Sequence, residues 1–209
     1  MIVEFYGLPG SGKSTVAEPI VKKLREKGFR VLTYTDFNSS YNNSFGLVLN
    51  NLNLAFLLLQ LIFREKMGIN KKRASCIKAI LRTNEFYKSS SDADYIIMEQ
   101  GILQNVISLY YDHEIRDTDT LKKIFQTVRN EFLPVVTEID SEEAFKRMLT
   151  REKEPERLDK LDGEKQRKIY QIYDDNIRKF ESVFTDFIKI DTSIDPQTNA
   201  ETILKKIIV

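Results

Sequence analysis

The sequence predicts an α/β fold in which a five-stranded parallel sheet carries helices on both faces. Short apolar segments alternate with segments of helical spacing along the whole chain, which is typical of a parallel sheet with crossover helices. A glycine-rich turn also joins the first strand directly to the first helix. The 209 residues contain no internal repeat or linker, so we expect a single domain over residues 1–209.

The elements follow in order along the chain. Strands are predicted at residues 2–6, 30–35, 94–98, 133–139 and 187–190. Helices are predicted at about 16–27, 45–63, 71–88, 100–111, 118–132, from 141 onward, 164–184 and 197–208. Pro19 is expected to kink the first helix because it cannot donate to the Thr15 carbonyl. Gly28 should end that helix, and Ser141 is predicted as the N-cap of the helix after the fourth strand.

The most informative segment is residues 7–15, which match G-x-x-x-x-G-K-[ST], the Walker A or P-loop pattern. Its glycines let successive backbone N–H groups turn inward, and the following helix adds its positive end. Lys13 is expected to reach the β- and γ-phosphates of ATP, and the Ser14 hydroxyl to bind Mg²⁺. The predicted nucleotide-binding residues here are Gly7, Leu8, Pro9, Gly10, Ser11, Gly12, Lys13, Ser14 and Thr15.

Three carboxylates end predicted strands, namely Asp36, Glu99 and Asp191. Ligands of an open parallel sheet gather at the carboxyl ends of its strands, so Asp36 and Glu99 should lie on the edge that carries the P-loop. A hydroxyl acceptor needs a base, and a metal-bound phosphate needs a carboxylate nearby. The two residues are candidates for these roles, and the sequence leaves open which takes which.

A second group of candidates is the arginine set Arg147, Arg151 and Arg157, in a charged stretch at 147–162. Arg147 and Arg151 are four residues apart and therefore share a helical face. We expect a small lid that closes over ATP and stabilises charge on the transferring phosphoryl group. A solvated helix with i,i+4 ion pairs is the alternative, because glutamates are interspersed.

The composition of the chain indicates which partners we do not expect it to bind and where in the cell we expect it. Lys plus Arg is 32 and Asp plus Glu is 31, which argues against a broad nucleic-acid-binding surface. The single cysteine, Cys76, excludes an intrachain disulfide and favours a reducing, cytoplasmic location. The first strand follows Met1 directly, so no signal peptide is expected. The lone His113 has no metal-ligand companion at useful spacing.

The apolar segment 45–63 approaches the length of a membrane span. It would, however, carry the amides of Asn50, Asn51, Asn53 and Gln60 into hydrocarbon. We therefore expect no membrane insertion, and instead a buried helix or one that packs against a second subunit. A homodimer formed through this helix is one possibility.

Taken together, these residues resemble the P-loop nucleoside and nucleotide kinases, above all thymidylate kinases and deoxynucleoside kinases. The resemblance covers nearly the whole chain, through residues 7–15, Asp36, Glu99, 147–157 and 188–192. It implies that Asp36 acts near an acceptor hydroxyl. It also implies that a lid arginine, Arg151, and the loop at Thr192 hold the adenine.

The same resemblance implies that the region of about 37–92 builds the acceptor pocket. An acidic residue followed by Arg is expected after the third strand, and Gln100 stands where that Arg should be. The acceptor is therefore open between a nucleoside, a nucleoside monophosphate and a sugar or other metabolite. An ATPase or switch that binds a protein partner is the alternative from a different class. The candidate catalytic residues are Lys13, Asp36, Glu99, Arg147, Arg151 and Arg157.

Overall fold

Five parallel strands form one sheet: β1 (Ile2–Gly7), β2 (Val31–Thr33), β3 (Tyr95–Met98), β4 (Phe132–Glu138) and β5 (Ile188–Asp191). They lie side by side in the order β2-β3-β1-β4-β5. The structure is a computed structural model that describes residues 1–37, 44–128, 132–150 and 163–208. The parallel arrangement of the sheet and its five strands confirm the predicted fold class.

Helices connect the strands and cover both faces of the sheet. They are α1 (Lys13–Glu26), α2 (Ser44–Asn50), α3 (Leu52–Arg64), α4 (Lys71–Ser89), α5 (Ile102–Leu109), α6 (Thr118–Gln126), α7 (Ser141–Leu149), α8 (Gly163–Glu181) and α9 (Pro196–Ile207). A short 3₁₀ turn, Tyr34–Asp36, follows β2. α1 is continuous through Pro19, and the kink expected there stays a prediction.

The central strand β1 separates two apolar cores, because successive side chains of a strand point to opposite faces. Val3 and Phe5 are fully buried in the core formed with α1 and α9. Ile2 and Tyr6 lie in the larger core on the other face, which contains side chains of α3, α4, α5 and α8. The strand is therefore buried on both sides, as expected of a parallel sheet. The end of β1 that leads into the P-loop therefore lies between the two cores.

Several boundaries differ from the sequence prediction, and three of them have a clear local cause. The second strand ends at Thr33, because the next three residues turn into the 3₁₀ helix. The helix predicted to reach residue 132 ends at Gln126, and Phe132 already belongs to β4. The N-cap of α7 is Asp140, whose carboxylate accepts hydrogen bonds from two backbone N–H groups of the first turn at 3.0 and 3.1 Å. Ser141 is the first helical residue instead.

The apolar segment 45–63 forms two helices rather than one. The break falls at Asn51, whose backbone is not helical. Its side-chain amide donates to the Leu47 carbonyl at 2.9 Å and accepts from the Asn84 amide at 2.7 Å. None of the helices in the described parts of the chain combines the length and apolar character that a bilayer crossing needs.

Candidate active site

The loop between β1 and α1 adopts a conformation that requires glycine. Gly7, Gly10 and Gly12 have φ angles of 154°, 84° and 80°, which side chains of L-residues rarely adopt. A Cβ at Gly7 would overlap the Thr137 hydroxyl, and one at Gly10 would overlap the carbonyl of Ala144. The loop therefore packs directly on β4 and α7, and any side chain at these positions would displace it.

The helix that follows offers an anion-binding terminus. Gly12 is the N-cap of α1, and neither a side-chain cap nor an acidic residue is present in the first turn. The first N–H groups of a helix have no intrahelical acceptor, and they form the positive end of the helix dipole. Ser14 and Thr15 are exposed in this turn. The donors and the shape of this segment fit a polyphosphate.

Lys13 places its ammonium group over the loop. Its Nζ donates to the carbonyl oxygens of Leu8 and Gly7, at 2.8 and 3.1 Å, and lies 3.4 Å from the Ser11 hydroxyl. These acceptors are neutral, and a phosphate oxygen is the stronger partner because its hydrogen bond is charge-assisted. The ammonium group is thus held over the loop in a position from which it could donate to a bound anion.

Three side chains that the sequence analysis did not single out hold the P-loop in place. Thr137 of β4 shares a 2.6 Å hydrogen bond with the Ser11 hydroxyl. The Tyr170 hydroxyl of α8 donates to the Pro9 carbonyl. The Gln104 side-chain oxygen of α5 accepts from the backbone N–H of Gly7 at 3.2 Å. The loop is therefore fixed by contacts from β4 and from two helices of the larger core.

Glu99 follows β3 directly, at the edge of the sheet that carries the P-loop. β3 lies beside β1, with Met98 opposite Glu4, so Glu99 is level with Phe5, two residues before the end of β1. Glu99 is half-buried, and the same connection continues into Gln104, which contacts Gly7. The structure thus brings this predicted carboxylate to the strand that leads into the loop.

Asp36 has a different environment. Its Oδ2 atom accepts hydrogen bonds from the backbone N–H and the hydroxyl of Thr33, both at 2.8 Å. The same oxygen lies 3.6 Å from the Arg25 guanidinium. Arg25 stands twelve residues after Lys13 in α1, about 18 Å further along the helix axis. The Asp36 carboxylate therefore lies near the C-terminal part of α1 rather than near its start.

A cavity of about 310 Å³ lies beside the P-loop. It is lined by Gly12, Thr15, Val16, Arg147, Thr192, Ser193, Ile194, Asp195 and Pro196. Thr192 is fixed there because its N–H and hydroxyl both donate to the Glu138 carbonyl, at 2.9 and 3.0 Å. The Arg147 guanidinium contacts the Thr192 carbonyl at 3.4 Å and Glu143 at 3.0 Å. Arg147 and Thr192, predicted separately, therefore meet in one cavity.

Two members of the predicted arginine set, Arg151 and Arg157, lie outside the described residues. Of the predicted lid at 147–162, the structure describes residues 147–150, which complete α7 and the turn after it. Arg147 forms an i,i+4 ion pair with Glu143; the glutamates on which the alternative of a solvated charged helix rests also lie outside the described residues. The lid itself stays a prediction.

A buried carboxyl group lies beneath the site. Glu4 is fully buried in β1, accepts a hydrogen bond from the Tyr87 hydroxyl at 2.8 Å, and accepts another from the backbone N–H of Leu103. Burial raises the pKa of Glu4 to about 8, because these hydrogen bonds offset only part of the lost hydration. A Cβ at Gly101 would overlap the Glu4 carboxyl. Glu4 therefore joins β1 to α4 and to the start of α5.

A larger cavity, of about 490 Å³, lies at the end of α3. Its lining consists of Arg64, Glu65, Lys66, His113, Arg116 and Asp117. The buried Glu65 carboxylate accepts from the N–H groups of Arg116 and Asp117, at 2.8 and 2.7 Å. His113 contacts Asp112 at 2.7 Å. The lining contains no P-loop residue.

The order of the five parallel strands and the glycine-rich loop after the first strand describe a fold that is also found among solved structures. Solved structures with this fold include deoxyadenosine kinase from M. mycoides with bound dATP. It matches with a TM-score of 0.56 and 19% identity over 99% of this chain and 98% of that chain. The same enzyme with bound dCTP gives a TM-score of 0.53 and 17% identity over the same shares.

Shikimate kinase from Acinetobacter baumannii in complex with shikimate also matches, with a TM-score of 0.54 and 14% identity over 99% of this chain and 92% of that chain. At these identities the likeness establishes the fold. No protein-family model matches the chain, and no curated protein matches it in sequence.

Proposed function

We propose that the protein is an ATP- and Mg²⁺-dependent phosphotransferase that moves the γ-phosphate of ATP to a small acceptor. The observation that carries the proposal is the uncapped start of α1 at Gly12, which lies beside a cavity of about 310 Å³. The first offers donors for a polyphosphate, and the second has the volume expected of a small-ligand site. A nucleoside or a nucleoside monophosphate is the favoured acceptor.

The nucleotide would lie along the line from the P-loop to the 192–196 loop. Lys13 and the first N–H groups of α1 would hold the β- and γ-phosphates, and the base would enter the cavity against Ile194, which is 47% exposed. Arg147 would cover the base from α7. Arg151 and Arg157, in the predicted lid, would extend the surface with which Arg147 covers the base.

Ser14 and Glu99 are the proposed metal-supporting residues. A hydroxyl and a carboxylate provide the oxygen ligands that Mg²⁺ prefers, directly or through water. Bound Mg²⁺ would neutralise charge on the β- and γ-phosphates. Ser14 is exposed in the first turn of α1, and Glu99 is half-buried directly after β3. Neither side chain is enclosed in the core, so both could approach a bound ion.

For a hydroxyl acceptor, its oxygen forms the new bond to the γ-phosphorus while the bond from that phosphorus to the bridging oxygen of ADP breaks. The hydroxyl proton passes to a carboxylate. Asp36 and Glu99 are both candidates for this base. The two hydrogen bonds that Asp36 accepts from Thr33 are to its Oδ2 atom, so Asp36 could take the proton through Oδ1 while Glu99 supports the metal.

One observation bears on the class of acceptor. The Arg82 guanidinium of α4 lies over the Phe37 ring, with 5.0 Å between its carbon and the ring centroid. Its Nε atom is buried without a hydrogen-bond partner in the described chain. An unpaired buried donor favours a ligand with an acceptor group there. This supports a phosphate or carboxylate on the acceptor, as in a nucleoside monophosphate or an acidic metabolite.

The test is ADP production from Mg-ATP with a panel of acceptors: nucleosides, nucleoside monophosphates, sugars and shikimate. We expect one class to stimulate ADP production and to become phosphorylated. Lys13→Ala should lower the rate at least 100-fold, whereas Lys22→Ala, an exposed residue of the same helix, should not change it. ADP production that no acceptor stimulates would instead favour the ATPase or switch.

Two further substitutions separate the carboxylates. Glu99→Gln should reduce the rate by several orders of magnitude with any acceptor. Asp36→Asn should have a small effect if the acceptor is anionic, and a large one if Asp36 is the base. The proposed cytoplasmic location rests only on the single cysteine, and fractionation of expressing cells would test it.

A further inference from the structure

The connection from β3 to α5, residues 99–101, carries Glu99 and is held at both ends by one residue of β1. At the β3 end, the backbone of Glu4 lies opposite Met98 in the parallel register. At the α5 end, the Glu4 carboxyl accepts a hydrogen bond from the backbone N–H of Leu103. The chain between these two points is short, so Glu4 limits where the Glu99 side chain can lie.

The Glu4 carboxyl supplies a cap that the α5 helix does not provide itself. Gly101 is the N-cap of α5 and makes no side-chain hydrogen bond to the first turn, although the first N–H groups of a helix need acceptors. Glu4, 99 residues earlier in the chain, accepts from the Leu103 N–H through Oε1. The Tyr87 hydroxyl donates to Oε2 at 2.8 Å. Both carboxyl oxygens therefore have partners, and the orientation of the group is fixed.

The glycine at position 101 is explained by the space that the carboxyl occupies. The φ angle of Gly101 is −99°, outside the left-handed region that favours glycine. A Cβ at this position would nevertheless overlap the Glu4 carboxyl and the Tyr87 hydroxyl. The connection thus closes directly on the buried carboxyl, two residues after Glu99.

A second contact joins the same helix turn to the phosphate loop. The Gln104 side-chain oxygen accepts from the backbone N–H of Gly7 at 3.2 Å. β1 therefore contacts the first turn of α5 at Glu4 and again at Gly7, where the P-loop begins. The Asn105 amide also donates to the Gly101 carbonyl at 2.7 Å, which ties the connection to the helix. The connection and the P-loop share β1 as their common support.

We propose that Glu4 is a positioning residue, which holds the 99–101 connection so that Glu99 faces the metal-bound nucleotide. The inference rests on the proposed function, in which Glu99 supports Mg²⁺. Without the carboxyl, the Leu103 N–H and the Tyr87 hydroxyl would lose their buried partner, and the connection would be free to move away from β1. A neutral amide is a close substitute, because burial raises the pKa of Glu4 to about 8 and keeps the group largely protonated at pH 7.

The test measures how much Mg²⁺ strengthens the binding of ATP. Calorimetric titrations at pH 7, with ATP in EDTA and with ATP in excess Mg²⁺, compare the original chain with Glu4→Ala and Glu4→Gln. The metal-free affinities should agree within twofold. The gain in affinity from Mg²⁺ should fall at least threefold in Glu4→Ala. Glu4→Gln should retain the gain, because its amide oxygen can accept from the Leu103 N–H.

Val3→Ala is the matched control for a loss of stability. Val3 is as fully buried as Glu4 but lies in the core on the other face of the sheet, so this variant should keep the full effect of Mg²⁺. Gly101→Ala is a second variant that retains Glu4, and it should lower the effect of Mg²⁺ because its Cβ would displace the carboxyl. The inference is overturned if Glu4→Ala and Gly101→Ala respond to Mg²⁺ as the original chain does, or if Val3→Ala loses as much.

Hydrogen exchange of the proteins without metal and nucleotide provides a readout that is independent of activity. The backbone amides of residues 101–104 should exchange at least tenfold faster in Glu4→Ala than in the original chain. Glu4→Gln and Val3→Ala should resemble the original chain. Unchanged exchange in Glu4→Ala would overturn the inference whatever the titrations show. If the original chain does not bind Mg-ATP, the proposed function is refuted instead, and hydrogen exchange alone decides whether Glu4 holds the connection.

Discussion

Replacing the buried carboxyl group of β1 should change how the stability of the protein depends on pH. In Glu4→Gln the amide oxygen can accept from the Leu103 N–H, and the amide nitrogen can donate to the Tyr87 hydroxyl. The shape of the buried side chain is almost unchanged. The substitution removes only the ability of this side chain to ionise, at the point where β1 contacts the start of α5.

The magnitude follows from the pKa of Glu4, which burial raises from the ordinary 4.5 to about 8. Between these two values the folded protein binds a proton that the unfolded chain has released, so stability falls as pH rises. The full difference corresponds to roughly 5 kcal/mol, of which roughly 3 kcal/mol should be lost between pH 5 and 7. Above pH 8 this contribution no longer changes.

Urea unfolding of both proteins at pH 5, 6, 7, 8 and 9 measures the effect. Other groups cancel in the difference between the two curves, since the lowered pKa values of Asp112 and Asp117 act only in more acidic solution. We expect the free energies of unfolding to be similar at pH 5, and the variant to be several kcal/mol more stable at pH 9. Parallel curves across this range would refute a raised pKa of Glu4.

Two further predictions concern the P-loop and the helix beside it. Gly10→Ala should abolish ATP binding in a chain that still folds, because the new Cβ would overlap the Ala144 carbonyl. Calorimetric titration with Mg-ATP measures the affinity. An unchanged affinity would contradict the close packing of Gly10 against α7. Asp140→Ala should lower the free energy of unfolding by about 1 kcal/mol by removing the N-cap of α7, whereas Ser141→Ala should have a much smaller effect in urea unfolding.

The P-loop could be predicted because its chemistry is local. The glycine spacing, Lys13 and Ser14 lie within nine residues, and the backbone there needs only those residue types to turn as it does. The strand order places Glu99 on the same edge, since parallel strands end together. These features depend on neighbours in sequence or on a general rule of topology.

The contacts of Asp36 have a local signal in the sequence. Thr33 and Asp36 are three residues apart, the spacing of a capping box, and that box turns the carboxylate back toward Thr33. Glu4 was also visible, as a charged residue within an otherwise apolar strand. Its partner Tyr87, however, lies 83 residues away, and no local pattern joins the two.

Other contacts depend on packing between distant elements. Tyr170 reaches Pro9 across 161 residues of chain, and Asn84 bonds Asn51 across 33. The second of these explains why the apolar segment divides into two helices, because the break offers Asn51 a buried hydrogen-bond network. Such contacts form only when elements distant in sequence pack together. Composition and residue spacing therefore do not predict them.

The central claim is that the start of α1 binds Mg-nucleoside triphosphate. Calorimetric titration of Mg-ATP into the original chain, Lys13→Ala and Lys22→Ala tests it most directly. We predict one site per chain, the same affinity in Lys22→Ala, and at least tenfold weaker binding in Lys13→Ala. Absence of binding to the original chain, or equal affinity in all three proteins, would contradict the account.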